Sequence, residues 1–207
     1  RYGRRFLNQK SLENQKIPKL SDIFELINSN GIKDVVLNLE IKSTPIEDNL
    51  TPSPKEMVSI IKKEIEKSNL DKKILISSFD WRILKEFSIQ MPNIVRGYLS
   101  FQQNTGVKIE KTIYKNSPWL DLTLEFNEYD LPRLIKQLGG KVWCPFYRDI
   151  TKKNVDMAHE EGLVVNVWTV NKENDMIQMI KYGVDAIITD YPLFLKEVCE
   201  KNNIKWF

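Results

Sequence analysis

The sequence predicts an α/β fold built on a parallel sheet, and within that class a (β/α)8 barrel. Strand-like apolar runs alternate with helical patterns along most of the chain, the signature of a parallel sheet covered by helices. The residues that break those runs gather at the strands' C-terminal ends: Glu40 and Lys42, Ser78, Trp168 and Asp190. In parallel α/β folds that edge receives ligands. No glycine-rich phosphate fingerprint follows any strand, which argues against a dinucleotide-binding sheet.

The elements follow in order. Ser21 is a candidate N-cap for a helix over 22–29, with Gly31 just past its end. A strand spans 35–41. A Pro- and Ser-rich loop over 43–53 leads into an amphipathic helix over 54–68. A strand at 73–79, a helix at 81–91 and a short strand at 94–99 come next. The stretch 100–130 carries the weakest pattern; a helix near 107–114 and a strand around 122–126 are expected there. A helix over 131–138 stops at Gly139-Gly140, and a strand at 142–147 follows. Thr151 caps a helix to Glu161 that Gly162 closes. A strand at 163–170 precedes Asn171, a second candidate cap, and a helix over 173–182 ending at Gly183. A strand at 185–189 and a helix at 193–202 finish the chain. Roughly six of these are core strands, whereas a closed barrel has eight and typically about 250 residues.

Composition narrows the function. The chain has 207 residues, 42% hydrophobic and 29% charged, with a net charge of +3. It is long enough for one domain with a proper core. Lys and Glu are interspersed, as in Lys62-Lys63-Glu64-Ile65-Glu66-Lys67, which reads as a solvated helix face and not a nucleic-acid stripe. No apolar run reaches the roughly 18 residues of a membrane span. Cys144 and Cys199 have no zinc spacing, and each reads as a buried thiol. The first residue is Arg1, so an upstream segment is expected, and with it any targeting signal.

The run Leu37-Asn38-Leu39-Glu40-Ile41-Lys42 holds the chemistry. Alternation puts Leu37, Leu39 and Ile41 on one face and Asn38, Glu40 and Lys42 on the other. An acid and a base two positions apart are costly to bury without partners. They point to a site for a metal, an anion or both. The same spacing suggests a hydrogen bond from Asn38 to Glu40.

Five segments in order resemble the glycerophosphodiester phosphodiesterase family, barrels of the phospholipase C-like phosphodiesterase type. They are Ile17-Pro18-Lys19-Leu20-Ser21-Asp22, then Leu37 to Lys42 as above, then Ser77-Ser78-Phe79-Asp80. The fourth is Ala158-His159 and Gly162 with Val167-Trp168-Thr169-Val170-Asn171; the last is Gly183-Val184-Asp185-Ala186-Ile187-Ile188-Thr189-Asp190-Tyr191-Pro192. The resemblance implies a TIM barrel, incomplete here, with the first two βα units missing and residues 1–207 forming strands three to eight of one catalytic domain. It implies metal-dependent hydrolysis of a small-molecule glycerophosphodiester to glycerol 3-phosphate and an alcohol, with a cyclic phosphate on the way. It assigns Glu40 to a divalent cation, calcium or magnesium, and Lys42 to the phosphate. Phe79 and Trp168 would shape the glycerol or alcohol side.

The family's His-Arg-Gly, Glu-x-Asp and His-Asp segments have no counterpart here, so no catalytic histidine is assigned. The single histidine, His159, is expected on an outward helix face. The chain is accordingly expected to need its own N-terminal segment as a partner for activity. A barrel that binds glycerophosphoryl groups without cleaving them is the alternative. A Schiff-base role for Lys42 in an unrelated barrel is the third reading, and the family resemblance speaks against it.

Overall fold

The computed structural model describes residues 12–32, 34–47, 49–103, 111–120, 127 and 130–205. Its elements run α1 (Leu20–Ser29), β1 (Leu37–Glu40), α2 (Pro54–Ser68), β2 (Ile74–Ser78), α3 (Trp81–Gln90) and β3 (Val95–Ser100). They continue α4 (Leu131–Gln137), β4 (Val142–Pro145), α5 (Lys152–Glu160), β5 (Val164–Val167), α6 (Glu173–Tyr182), β6 (Ala186–Ile187) and α7 (Pro192–Lys201). The six strands form one sheet in sequence order, every neighbour parallel. Each strand thus returns through a helix, as the alternation requires. No described helix is long and apolar enough to cross a membrane.

Local chemistry explains most boundaries. Ser53 and Glu56 form a reciprocal capping box before α2, with Pro54 at the first helical position, where its missing N–H costs nothing. Gly183 ends α6 at φ +81°, a conformation glycine adopts freely. The turn after α4 packs tightly: a Cβ on Gly140 would lie 2.5 Å from Ile135 Cγ2 and 2.6 Å from Tyr98 Cε2.

Three sequence expectations are corrected. Ser21 lies inside α1; the cap is Lys19, whose N–H donates to Asp22 Oδ2 at 2.8 Å. Asn171 does not cap α6, which starts after Lys172. Its side chain is engaged across the sheet edge, accepting from Thr189 Oγ1 and Asp190 N and donating to Asp190 Oδ2. Residues 111–114, the second half of an expected helix, are not helical. The N–H groups of Thr112 and Ile113 donate to Phe101 O instead, tying this segment to the exit of β3. The rest of that helix and the strand expected at 122–126 lie outside the described residues.

The sheet has two different faces. Leu37, Leu39, Ile74, Ile76, Tyr98, Trp143, Val165 and Val167 join the helices in the main core. Leu75, Leu99, Val142, Cys144 and Trp168 point the other way and form a second, smaller cluster with Phe101. Phe79 and Trp168 show that this second face is concave. They follow β2 and β5, three strands apart in the sheet. Flat strands would set them about 14 Å apart at the backbone, from the 4.8 Å strand spacing. Their ring centroids are 5.2 Å apart, so the sheet curls.

Candidate active site

The concave face and the C-terminal strand ends bring the expected site residues together in two groups. The first is the acid–base pair. Glu40 closes β1 and Lys42 lies two residues on, and Lys42 Nζ donates to Glu40 Oε1 at 2.5 Å. The lysine side chain is 79% exposed and the glutamate 35%. A solvated pair of this kind contributes only about 0–1 kcal/mol. Opening it is cheap, so an incoming anion can take Lys42 and an incoming cation can take Glu40. Glu40 also faces inward enough for its charge to reach Cys144 on β4. The Cys144 thiol is pushed up to about 12, by burial first and by Glu40 second.

Asn38 does not meet Glu40, contrary to the spacing argument. Its Oδ1 accepts from Ser77 Oγ at 2.8 Å. Ser77 lies diagonal to Asn38 in the β1–β2 register and directly opposite Glu40; its hydroxyl supplies a donor for the amide oxygen, which the Glu40 carboxylate, engaged by Lys42, does not.

The second group is aromatic. Phe79 meets Trp168 edge to face, and Trp168 Nε1 donates to Cys144 O at 2.8 Å. The indole is 8% exposed, so it is a wall and not a free surface. Two rings absent from the sequence expectation complete it: Phe146, 5.2 Å from both Trp168 and Phe101, and Phe101 itself. Phe146 follows Cys144 by two positions, and Phe101 follows Leu99 by two. That spacing was the available signal that they share the concave face.

His159 sits at the opposite edge. It lies in the last turn of α5, with Nε2 2.9 Å from Asp185 Oδ2. Asp185 precedes β6 and also accepts from Val165 N, which ties both residues to the strands' N-terminal ends. Asp190 orients the last loop through Asn171.

A calcium ion takes six to eight oxygen ligands, and magnesium near-octahedral ones. Among the described residues no group of three or more His, Cys, Asp or Glu side chains could hold a metal. Glu40 has the oxygen chemistry of one such ligand; no further pair of described acidic side chains joins it.

The described strands thus form a curled parallel α/β half-barrel with a charged pair and an aromatic wall at its C-terminal strand ends, the edge where such folds receive ligands. Residues 3–193 match the model of the glycerophosphoryl diester phosphodiesterase family, and the chain belongs to that family. It is 32% identical over 187 residues to a glycerophosphodiester phosphodiesterase of Caldanaerobacter subterraneus subsp. tengcongensis, covering 90% of this chain and 63% of that protein. A solved structure from Silicibacter pomeroyi, assigned as a glycerophosphoryl diester phosphodiesterase, superposes with a TM-score of 0.80 at 32% identity. The match covers 100% of this chain and 64% of that one. A phosphodiesterase of Oleispira antarctica, solved with the product sn-glycerol-3-phosphate, shares the fold at a TM-score of 0.65 and 20% identity, covering 89% of this chain and 62% of that one. The chain thus spans a little under two thirds of the length of each of these relatives.

Proposed function

We propose that this chain supplies the substrate-binding side of a glycerophosphodiester phosphodiesterase, and that β1–β6 are strands three to eight of its barrel. The reaction is hydrolysis of a glycerophosphodiester to glycerol 3-phosphate and an alcohol. The single observation that carries the reading is the solvent-accessible Glu40–Lys42 pair at the C-terminal end of β1. Lys42 contacts a non-bridging oxygen of the diester. As negative charge grows on the phosphoryl oxygens, its compact ammonium stabilises the transition state more than the ground state. Glu40, released from Lys42, supplies one ligand to a divalent cation, calcium or magnesium, which would neutralise phosphate charge when bound. Phe79 and Trp168 bound the glycerol or alcohol side and exclude water there.

Proton transfer needs a group near the scissile bond. His159 is held at the far edge by Asp185, so on this reading the acid–base groups and the remaining metal ligands come from a segment beyond these 207 residues. On this reading these 207 residues alone do not turn over substrate.

The test is release of glycerol 3-phosphate from glycerophosphocholine by the natural gene product that carries this sequence. Glu40→Gln is expected to lower the rate at least about tenfold and to raise the calcium requirement. Lys42→Met is expected to raise KM and lower kcat together. Full activity with unchanged calcium dependence in Glu40→Gln removes the ligand role.

A further inference from the structure

We propose that Ser43 and Asp80 are positioning residues for Lys42, an assignment that rests on the reading of Lys42 as the phosphate contact. Lys42 lies past the end of β1 on a flexible four-carbon stem, and its side chain is the more exposed partner of the pair. Such a side chain is aimed only as well as its backbone is fixed. The backbone on both sides of it is tied to the exit of β2. Before it, Ile41 N donates to Ser77 O at 2.8 Å, and Ser78 Oγ donates to Ile41 O at 2.8 Å. After it, Ser43 Oγ donates to Asp80 Oδ2 at 2.8 Å.

Asp80 is an immobile anchor. It is fully buried, and Arg82 grips it through Nε to Oδ1 at 2.9 Å and Nη2 to Oδ2 at 2.8 Å. Its Oδ1 also caps α3 by accepting from Arg82 N at 3.1 Å, and its own N–H donates to Ser78 Oγ at 3.1 Å. A serine or asparagine would serve as a cap without the cost of a buried charge. The ionised carboxylate gives Ser43 a stronger, charge-assisted acceptor than a neutral cap would. The bond to Ser43 is not needed for capping; it fixes the chain one residue beyond Lys42, where the loop 43–53 begins.

Binding of sn-glycerol 3-phosphate to the natural gene product, measured by calorimetry at fixed ionic strength, tests this. Ser43→Ala leaves the Arg82–Asp80 pair intact and is expected to weaken binding roughly three- to tenfold, the worth of one hydrogen bond. Ser43→Thr, which keeps the hydroxyl, is expected to restore it. If Ser43 acts through Lys42, the Lys42→Met/Ser43→Ala double variant binds no more weakly than Lys42→Met alone. Hydrogen exchange in the peptide spanning 41–44 is expected to quicken in Ser43→Ala and not in Lys42→Met. Wild-type affinity in Ser43→Ala beside a weakened Lys42→Met overturns the positioning role and spares the reading of Lys42. Losses that multiply in the double variant overturn it equally. Wild-type affinity in Lys42→Met overturns the reading of the lysine itself, and the positioning role with it.

Discussion

Cys144 shows how far a single charge reaches in this fold. Its thiol is fully buried on the concave face, and a Cβ on neighbouring Gly97 would lie 3.1 Å from its sulfur. Burial, with Glu40 adding to it, carries the thiol from an ordinary 9.0 up to about 12. The folded state therefore favours the neutral thiol. The stability this contributes is complete below pH 9, where both states are protonated, and is lost as the pH climbs toward 12. At pH 8 the native thiol is therefore held in its unreactive, protonated form. Iodoacetamide at that pH is expected to leave both cysteines unmodified in the native protein and to alkylate both after urea unfolding, read as intact mass. Rapid native labelling at Cys144 would contradict its place under the aromatic wall. At this scale the sequence was informative where a single strand decides. Period-two alternation placed Glu40 beside Lys42, and they pair. It misled or fell short where two strands decide: the same alternation suggested Asn38 to Glu40, but Asn38 bonds Ser77 on β2, and Phe146 meets Trp168 from the neighbouring strand.

Helix starts depend on which partner wins. Asn171 and Ser21 both have good cap chemistry and neither caps, because Asn171 bonds the exit of β6 and Asp22 serves the Lys19 N–H. Tertiary or neighbouring partners outrank a local signal that is equally good on paper. Ser53 has no such rival: it accepts from Glu56 N while Glu56 Oε2 accepts from Ser53 N and Oγ. Removing that box with Ser53→Ala is expected to cost about 1 kcal/mol in urea unfolding at pH 7. The hydrogen bonds from the Ser53 side chain and backbone hold the Glu56 carboxyl below its usual 4.5. A depressed carboxyl contributes stability above pH 4.5 and loses it as the pH falls through the folded value. The stability gap between wild type and Glu56→Gln is thus expected to narrow on acidification from pH 7 to pH 3. A gap that stays constant, or widens in acid, would mean the carboxylate does not act through these bonds.

At the level of the whole molecule, the six strands were legible because short apolar runs such as Ile74-Leu75-Ile76 in β2 alternate with helical patterns. The curl was expected only through the choice of a barrel; which side chains it brings together was not legible, since that depends on the accumulated twist of strands distant in sequence. It is the curl that brings Phe79 to Trp168 and makes a sheet edge into a site. The proposed division of that site between this chain and residues elsewhere has a measurable consequence. A bound ligand stabilises the folded state by RT ln(1 + [L]/Kd). A complete calcium site with a Kd of about 0.1 mM would, at about 5 mM calcium, add roughly 2 kcal/mol, and several degrees in Tm for a chain of this size. Glu40 alone, already paired with Lys42, is expected to bind with a Kd of tens of millimolar or weaker, adding on the order of 0.1 kcal/mol. The thermal midpoint of these 207 residues is therefore expected to move by less than about 1 °C on adding calcium or on chelating it. A rise of several degrees that Glu40→Gln abolishes would locate a full ligand set within these 207 residues and overturn the proposal that the other ligands come from elsewhere.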